Sequence, residues 1–192
     1  GKKMNIEGQV AFVSGGGSGL GEATAKHLAA AGCKVGVMDI NGEAAENVAN
    51  TIEGSWASCD VSSSKSTEEA FSKLSSSIGM PRIMVACAGV ATGAKLVTKE
   101  STATPLEKFS KVIEINLIGT INCMRLAAAE MTKLEPLVEG ERGVMIGTAS
   151  VAAFEGQIGQ CGYSASKGGI ASMTLTLARE LARDGIRVNA IA

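Results

Sequence analysis

The sequence predicts a single α/β domain with a doubly wound parallel sheet, and three observations carry this prediction. Short apolar segments alternate with helical segments along the whole chain. Several apolar segments are almost uninterrupted, as expected for parallel strands that helices cover on both faces. A chain of 192 residues with 45% hydrophobic content is long enough for one substantial core. Strict alternation of this kind implies right-handed crossovers between parallel neighbours.

Six strands and five helices are predicted from these patterns. The predicted strands are residues 10–14, 34–39, 55–59, 82–87, 143–147 and 187–191. The predicted helices, with apolar residues at three- and four-residue spacing, are 20–31, 42–53, 65–77, 105–133 and 163–184. Gly32 and Gly185 directly follow the first and last helices, where left-handed caps are common. The loops 91–104 and 135–142 are longer than usual, and both are candidate functional insertions.

Composition excludes several classes of partner. The net charge is −1 and the isoelectric point is near 6.0, without charge runs, so neither a nucleic acid nor an anionic membrane is an expected partner. No segment approaches the roughly 18 unbroken apolar residues of a membrane span, and no signal-peptide pattern is found. Export is therefore not expected. The expected location is cytoplasmic, or the mitochondrial matrix in a eukaryote.

Neither cysteine nor histidine spacing indicates a metal site. The five cysteines form no CxxC pair, which predicts free thiols in a reducing compartment and no disulfide framework. His27 lies in the first predicted helix among alanines and a leucine. Because there is no second histidine, a metal cluster or nucleophilic triad has little support, and no metal is predicted. The cysteines are Cys33, Cys59, Cys87, Cys123 and Cys161.

A glycine-rich turn, GGGSGLG at residues 15–21, joins the first predicted strand directly to a helix. Glycines at this point allow a tight turn, a close approach to a pyrophosphate and packing of the helix on the sheet. The helix N-terminus then presents free N–H groups and a positive dipole end to the phosphates. A flexible loop is the alternative, but the strand–turn–helix context favours a dinucleotide-binding Rossmann fold.

Asp39 closes the second predicted strand and indicates which dinucleotide is bound. An acidic side chain there accepts hydrogen bonds from the adenosine ribose hydroxyls and repels a 2′-phosphate. No lysine or arginine lies within residues 15–21 or at Ile40 and Asn41 to neutralise such a phosphate. The alternative is that Asp39 is a solvated turn residue. The predicted cofactor is NAD rather than NADP.

Tyr163 and Lys167 open the last predicted helix four residues apart, so they share one face. A free phenol has a pKa of about 10. An ammonium one turn away stabilises the phenolate and so lowers that pKa, as does the positive charge of oxidised nicotinamide. Alone, the pair could be a surface tyrosine beside a helical lysine. Ser150 strengthens the catalytic interpretation, because it follows the fifth strand at the sheet edge where ligands bind. Its hydroxyl could donate to a substrate carbonyl oxygen.

Taken together, these residues resemble the classical short-chain dehydrogenases/reductases over essentially all 192 residues. The stretch 147–157 (GTASVAAFEGQ) and the two long loops further resemble the type 2 3-hydroxyacyl-CoA dehydrogenases of fatty acid metabolism. Ser14 stands where threonine is usual and keeps the hydroxyl. Cys87 and Ala88 replace an Asn-Asn or Asn-Cys pair, which removes one side-chain amide from the strand end. The motifs that carry the resemblance are residues 14–21, Asp60-Val61, Cys87-Ala88-Gly89, Asn116, Ser150 and Tyr163/Lys167.

The resemblance implies reversible hydride transfer between NAD and a secondary alcohol, with 3-hydroxyacyl-CoA and 3-oxoacyl-CoA as the preferred pair. It implies that Tyr163 transfers the proton, assisted by Lys167. It also implies that Asn116 interrupts the long helix and holds a water that feeds protons to Lys167. Gln157 would contact the substrate together with Ser150 and Tyr163. The implied cofactor residues are Gly15, Ser18, Gly19, Leu20, Gly21, Asp39, Asp60, Val61, Cys87, Ala88, Gly89, Tyr163 and Lys167, with Asp60 and Val61 at the adenine.

Three alternative functions remain. Two are oxidoreductases: a 3-oxoacyl-carrier-protein reductase and a steroid or alcohol dehydrogenase. The third is a non-catalytic dinucleotide-binding scaffold. Asp39 counts against an NADP-preferring reductase. The presence of Ser150, Tyr163 and Lys167 counts against a scaffold.

Assembly and completeness are also implied by the resemblance. Two apolar helix stripes are expected to pair between subunits in a homodimer or homotetramer, although they could simply cover the sheet. After residues 187–191 the family continues into a loop, a substrate-covering helical segment and a seventh strand. We therefore expect residues 1–192 to be an NAD-binding domain that is incomplete at its C-terminus. The stripes are Ile113, Leu117, Ile121 and Met124, and Ile170, Met173 and Leu177.

Overall fold

The strand order of the sheet reverses beside its first strand, and this reversal positions the functional site. The computed structural model describes residues 4–192 and shows a six-stranded sheet in the order β3-β2-β1-β4-β5-β6, with every pairing parallel. Strands β2 and β3 lie on one side of β1, and β4 to β6 lie on the other. Ligands bind in such sheets at the carboxyl ends of the strands where the order switches, here β1 and β4.

The predicted strands and parallel topology are confirmed, and no strand bound shifts by more than one residue. The strands are β1 (Val10–Ser14), β2 (Lys34–Asp39), β3 (Ser55–Ser58), β4 (Ile83–Ala86), β5 (Gly143–Thr148) and β6 (Ile186–Ile191). The helices are α1 (Gly19–Ala30), α2 (Gly42–Thr51), α3 (Ser64–Ile78), α4 (Glu107–Ile113), α5 (Gly119–Met131), α6 (Ala152–Glu155) and α7 (Cys161–Leu181). Gly32 and Gly185, predicted as left-handed caps, have φ angles of 89° and 69°.

The long helix predicted at 105–133 runs from Glu107 to Met131 in the structure and is not a regular α-helix throughout. It contains a π-helical turn, Glu114–Ile118, between α4 and α5. Asn116 lies in that turn, where the resemblance placed an interruption. A second difference is α6, which was not predicted because four residues are too few to show helical periodicity.

Large side chains fill both faces of the sheet. Phe12, Met84 and Met145 are neighbours in register across β1, β4 and β5, and all three are buried on the face that α3 and α5 cover. Val13 and Val37 belong to the opposite face, under α1 and α2. The sheet is therefore buried on both sides, which accounts for its nearly continuous apolar strands.

The two long loops lie at opposite edges of the sheet. Residues 91–104 lie at the carboxyl edge, where Ala94 forms a β-bridge with Gln160. Residues 135–142 lie at the amino edge, where the Arg82 guanidinium donates to the Glu135 carbonyl at 3.2 Å and the Arg142 guanidinium donates to the Asp184 carbonyl at 3.2 Å. The second loop is therefore remote from the strand ends that bind ligands, and only the first can contribute to a site there.

One helical run in the described chain, Glu107–Met131, is long and apolar enough to cross a membrane by length and composition alone. In the fold it packs against β4, β5 and α7, and it contains the buried amides Asn116 and Asn122. A core helix passes the same test of length and composition.

Candidate active site

A cleft of about 520 Å³ opens at the carboxyl ends of β1, β2, β3 and β4. It brings together every residue predicted to bind the cofactor except Tyr163 and Lys167, which lie beyond it at the catalytic end. It also contains five residues that the sequence analysis missed, because nothing in their local pattern marks them. The predicted lining residues are Gly15, Ser18, Gly19, Leu20, Gly21, Asp39, Asp60, Val61, Cys87, Ala88 and Gly89, and the additional ones are Ile40, Cys59, Val90, Lys111 and Ile115.

The glycine-rich turn forms a cradle that side chains would fill. Gly15 has a φ of +64°, and a Cβ there would lie 2.6 Å from the backbone nitrogen of Ala88. Helix α1 then begins at Gly19, and the side chain of its N-cap, Ser18, makes no capping hydrogen bond. The N–H groups of the first turn are therefore free to bind a phosphate. This geometry fits the pyrophosphate of a dinucleotide.

Asp39 is held against this turn. Its Oδ2 accepts a hydrogen bond from the Gly17 nitrogen at 2.9 Å, and its Oδ1 accepts one from the Asn41 nitrogen at 2.9 Å. Each carboxylate oxygen retains lone-pair capacity toward the cleft. The half-buried Asp39 therefore ties the end of β2 to the phosphate cradle, which is not the arrangement of a solvated turn residue.

At the catalytic end, Lys167 is buried, with 6% of its surface exposed. Its Nζ donates to the Thr148 carbonyl at 2.7 Å and lies 5.6 Å from the centroid of the Tyr163 ring. A Cβ at Gly89 would lie 3.8 Å from the same Nζ. Because Gly89 also lines the cleft, the tyrosine–lysine pair adjoins the predicted dinucleotide site.

Burial lowers the pKa of Lys167, since taking an ammonium out of water disfavours its charged form, and the nearby Cys87 partly offsets this by raising the pKa. Burial likewise raises the pKa of the Cys87 thiol, while hydrogen bonding to Thr148 opposes that shift. The hydrogen bond of the buried Lys167 Nζ therefore depends on one fixed acceptor, the Thr148 carbonyl.

Asn116 joins the loop after β4 to α7. Its Oδ1 accepts from the Val90 nitrogen at 2.7 Å, and its Nδ2 donates to the Val90 carbonyl at 2.8 Å and to Ser166 Oγ at 3.2 Å. Ser166 Oγ in turn donates to the Tyr163 carbonyl at 2.7 Å. The π-helical turn thereby aligns the helix that carries Tyr163 with the cleft wall at Val90.

Ser150 and Gln157 flank the short helix α6. Ser150 Oγ accepts from the Ala152 nitrogen at 3.2 Å, so its own proton remains free to donate to a ligand. Gln157 is exposed, and its Nε2 donates to the Glu155 carbonyl at 3.3 Å. Exposed apolar side chains follow Ser150 in this segment: Val151, Phe154 and Ile158.

Thr148 is a site residue that the sequence analysis did not identify. Its Oγ1 donates to the Ala86 carbonyl at 2.8 Å and lies 3.7 Å from Cys87 Sγ. It therefore ties β4 to β5 at the strand end that is followed by Cys87. Its position within GTAS was visible, but a threonine at the end of a buried strand has no distinguishing pattern.

Other candidate groups do not join this site. His27 is on α1, where its Nδ1 lies 2.8 Å from the Ala23 carbonyl. Residues 4–192 contain no cluster of three or more possible metal ligands. A concavity of about 670 Å³ lies at the amino end of β6, near Glu139 and Arg187. It is separate from the carboxyl strand ends and from the glycine cradle.

The comparisons with known proteins agree with this geometry. A family model described as short chain dehydrogenase matches residues 9–192. The 3-hydroxyacyl-CoA dehydrogenase type-2 of Bos taurus is 47% identical over 191 residues, which cover 98% of this chain and 73% of the relative. Carbonyl reductase family member 4 of Danio rerio is 34% identical over 187 residues, covering 96% and 74%. The crystal structure of 3-hydroxyacyl-CoA dehydrogenase type-2 from Mycobacterium avium matches with a TM-score of 0.92 and 38% identity, covering 98% and 75%.

The buried ammonium generates a prediction about stability. Without ligand, we expect Lys167→Met to raise the free energy of unfolding at about pH 7 by on the order of 1 kcal/mol, since an apolar chain replaces a desolvated charge. The lost donor to the Thr148 carbonyl offsets part of this gain. Because the pKa of Lys167 is lowered in the fold, the unfolded chain binds the proton more tightly and wild-type stability increases as pH rises through that lowered pKa.

The advantage of Lys167→Met should therefore shrink at about pH 10. Urea unfolding at both pH values measures it. Lys111→Met, which removes an exposed ammonium from the cleft, is the matched control and should change stability little at either pH. Equal effects of the two variants would contradict the interpretation.

Proposed function

Because the chain belongs to the short-chain dehydrogenase family, we propose that it transfers a hydride reversibly between NAD and the carbinol carbon of a 3-hydroxyacyl-CoA. The family identifies it as an oxidoreductase that acts on CH–OH groups with a nicotinamide dinucleotide and a small-molecule substrate. The observation that carries the proposal is the Tyr163–Lys167 pair, which adjoins the dinucleotide cleft through Gly89. The names of the Bos taurus and Mycobacterium avium relatives support the hydroxyacyl-CoA substrate.

In the proposed mechanism the chain positions the substrate oxygen and moves one proton. During oxidation the Tyr163 phenolate accepts the hydroxyl proton, and the Lys167 ammonium stabilises that phenolate. The free proton of Ser150 is donated to the substrate oxygen, which holds the carbinol carbon in place. The bound nicotinamide supplies the hydride acceptor or donor. Asn116 is proposed to hold a water that carries this proton away from Lys167 during oxidation and feeds protons to Lys167 during reduction.

The substrate's apolar part is proposed to lie along the segment after Ser150. Val151, Phe154 and Ile158 are exposed there, and Gln157 offers an amide among them. Exposed apolar side chains rimmed by polar groups are typical of ligand-binding surfaces. An acyl thioester, with a polar carbonyl next to a hydrocarbon chain, fits this combination.

Replacement of Tyr163 tests the reaction directly. We expect Tyr163→Phe to lower turnover of 3-hydroxyacyl-CoA by roughly 10²–10⁴-fold, because the ring remains but the proton acceptor is lost. NAD binding should survive. The measurement is steady-state reduction of NAD with a panel of 3-hydroxyacyl-CoA thioesters and steroid alcohols. A variant that kept more than about a tenth of wild-type turnover would contradict the mechanism.

The choice of NAD over NADP is proposed from Asp39. Its carboxylate lies at the end of β2 and would face a 2′-phosphate, while the lysine that lines the cleft, Lys111, is on α4 rather than in the turn after β2. A second candidate function, an NADP-dependent carbonyl or oxoacyl reductase, has support in the 34% identity to the Danio rerio carbonyl reductase. Cofactor preference therefore separates the two functions.

We expect NAD to bind at least about tenfold more tightly than NADP, because the 2′-phosphate would be repelled by the negative charge of the Asp39 carboxylate. Asp39→Ala combined with Ile40→Arg should abolish the preference. Ile40 is largely exposed, so arginine fits there, and Ile40→Arg alone is the control. Fluorescence titration of both reduced cofactors measures the ratio. Equal affinities in the wild type would show that Asp39 is not at the ribose.

We also propose a homodimer or homotetramer. Of the predicted stripes, Met124 and Ile170 are buried against the sheet, so they are not free to pair with a second subunit. Other apolar side chains on the same helical runs remain exposed: Ile118 at 47%, Ile121 at 40% and Leu175 at 57%. We expect light scattering at micromolar concentration to give at least twice the monomer mass of 19.5 kDa. A monomer would reject the assembly for this chain.

A reducing compartment, the cytoplasm or the mitochondrial matrix, is the proposed location. All five cysteines are free, and Cys33, Cys59 and Cys123 are buried. Buried thiols of this kind are typical of proteins kept in reducing surroundings.

A further inference from the structure

The loop between β3 and α3, residues 59–63, forms the side of the cleft where the family resemblance implies that the adenine lies. Asp60 and Val61 line the cleft. The Asp60 carboxylate accepts two hydrogen bonds from Ser62, at 3.0 Å from the backbone nitrogen and 2.6 Å from Oγ, and both end on Oδ1. Oδ2 is therefore left for a donor in the cleft. Whatever fixes this loop fixes the direction of that carboxylate oxygen.

The loop is held by a side chain from a different element, Asn122 on α5. Asn122 is buried, and its Nδ2 donates to the Val61 carbonyl at 2.9 Å. The same nitrogen lies 3.0 Å from Thr67 Oγ1 and 3.3 Å from the Ser63 carbonyl. Thr67 Oγ1 lies 3.2 Å from the Asp60 carbonyl. One side-chain amide, that of Asn122, thus holds the backbone of the loop in place.

Arg125 fixes the orientation of this amide. Its Nε donates to Asn122 Oδ1 at 2.9 Å, and its Nη2 donates to Glu68 Oε1 at 3.0 Å and Ser64 Oγ at 2.9 Å. A flipped amide would turn its NH₂ toward the guanidinium and its oxygen toward the Val61 carbonyl. The donor therefore points at the loop.

Close packing adds a second constraint on the same residue of the loop. Gly119 is the first residue of α5, and a Cβ there would lie 2.5 Å from Val61 Cγ2. The helix consequently touches Val61 through its backbone and holds the Val61 carbonyl through Asn122. Neither Asn122 nor Arg125 lines the cleft itself.

We propose that Asn122 is a positioning residue for the adenosine half of the dinucleotide and acts through the loop 59–63. This inference rests on the proposed placement of NAD, with the adenine at Asp60 and Val61. The nicotinamide half would lie with Tyr163 and Lys167 at the other end of the site. Loss of the Asn122 donor should therefore weaken binding of one half of the cofactor and spare the chemistry at the other.

Two half-cofactors separate this role from a general structural one. In Asn122→Asp, which keeps the volume but replaces the donor with an acceptor, we expect the dissociation constants of NADH and of ADP-ribose to rise about tenfold. Turnover at saturating NADH, and kcat/KM with reduced nicotinamide mononucleotide, should stay within about twofold of the wild type. We expect the same changes in affinity and the same retained turnover for Asn122→Ala. NADH fluorescence, competition by ADP-ribose and steady-state rates with an oxoacyl-CoA give the three readouts.

Ser75→Ala is the matched control. It removes the Ser75 Oγ to Glu130 Oε2 hydrogen bond of 2.7 Å, which joins α3 to α5 away from the loop, and should change neither affinity. If Asn122 variants fold poorly, Arg125→Met is the second test. It removes the guanidinium that binds Asn122 Oδ1, so the dissociation constant of ADP-ribose should rise, as it does for the Asn122 variants.

Equal losses with ADP-ribose and the mononucleotide, or an unchanged ADP-ribose affinity in a folded variant, would overturn the positioning role. A wild-type protein that bound neither NADH nor ADP-ribose would instead contradict the proposed function.

Discussion

An ammonium group inside the fold, that of Lys167, imposes the conditions under which the rest of the site is built. A buried charge is costly unless it has fixed partners, and the partner here is a backbone carbonyl, that of Thr148. A backbone acceptor cannot rotate away, so the register of α7 against β5 sets the position of the ammonium. Gly89, which lines the cleft, lies next to this ammonium group, since a Cβ there would be 3.8 Å from Nζ. Helix α7 alone pairs Lys167 with Tyr163, but the strand end and the loop must also be in place before that pair adjoins the cleft.

The two buried asparagines on the helical run from Glu114 to Met131 each hold one loop of the cofactor cleft. Asn116 holds the loop after β4 through both groups of Val90, and Asn122 holds the loop after β3 through the Val61 carbonyl. Both amides are buried, and each donates to a backbone carbonyl of the loop that it holds. Loops that bind cofactors lack the mutual hydrogen bonds of strands, so amides from a neighbouring helix supply that order. The same helical run thus serves as the common support for both ends of the site.

Much of this site was predictable because parallel strands all end at one edge. The glycine turn, Asp39, Asp60 and Cys87 lie at or just after the carboxyl ends of four different strands, and that rule alone brings them into one cleft. Strand bounds were also close, since strands buried on two faces are continuous apolar runs. The contacts of Thr148 and Asn122, by contrast, could not be predicted from the sequence. Their chemistry depends on which carbonyl lies opposite, and a polar residue in an apolar helix or at a strand end has the same local pattern with or without that partner. The π-helical turn was invisible to periodicity for a related reason, because apolar residues continue on both sides of Asn116.

That π-helical turn absorbs one additional residue while leaving the helical phase of the residues after it almost unchanged. Each residue advances a helix by about 100°, and a π-helical turn accommodates one more residue than an α-helical turn. The extra residue lets Asn116 face α7 while Asn122 and Gly119, farther along, face the loop after β3. Removing one residue from Glu114–Ile118 would therefore leave a regular helix with α5 in nearly the same phase, and Met124 and Met131 would stay in the core. The deletion would instead remove the bulge from which Asn116 reaches both Val90 and Ser166. The length of this turn is consequently constrained by the contacts of Asn116 rather than by the core.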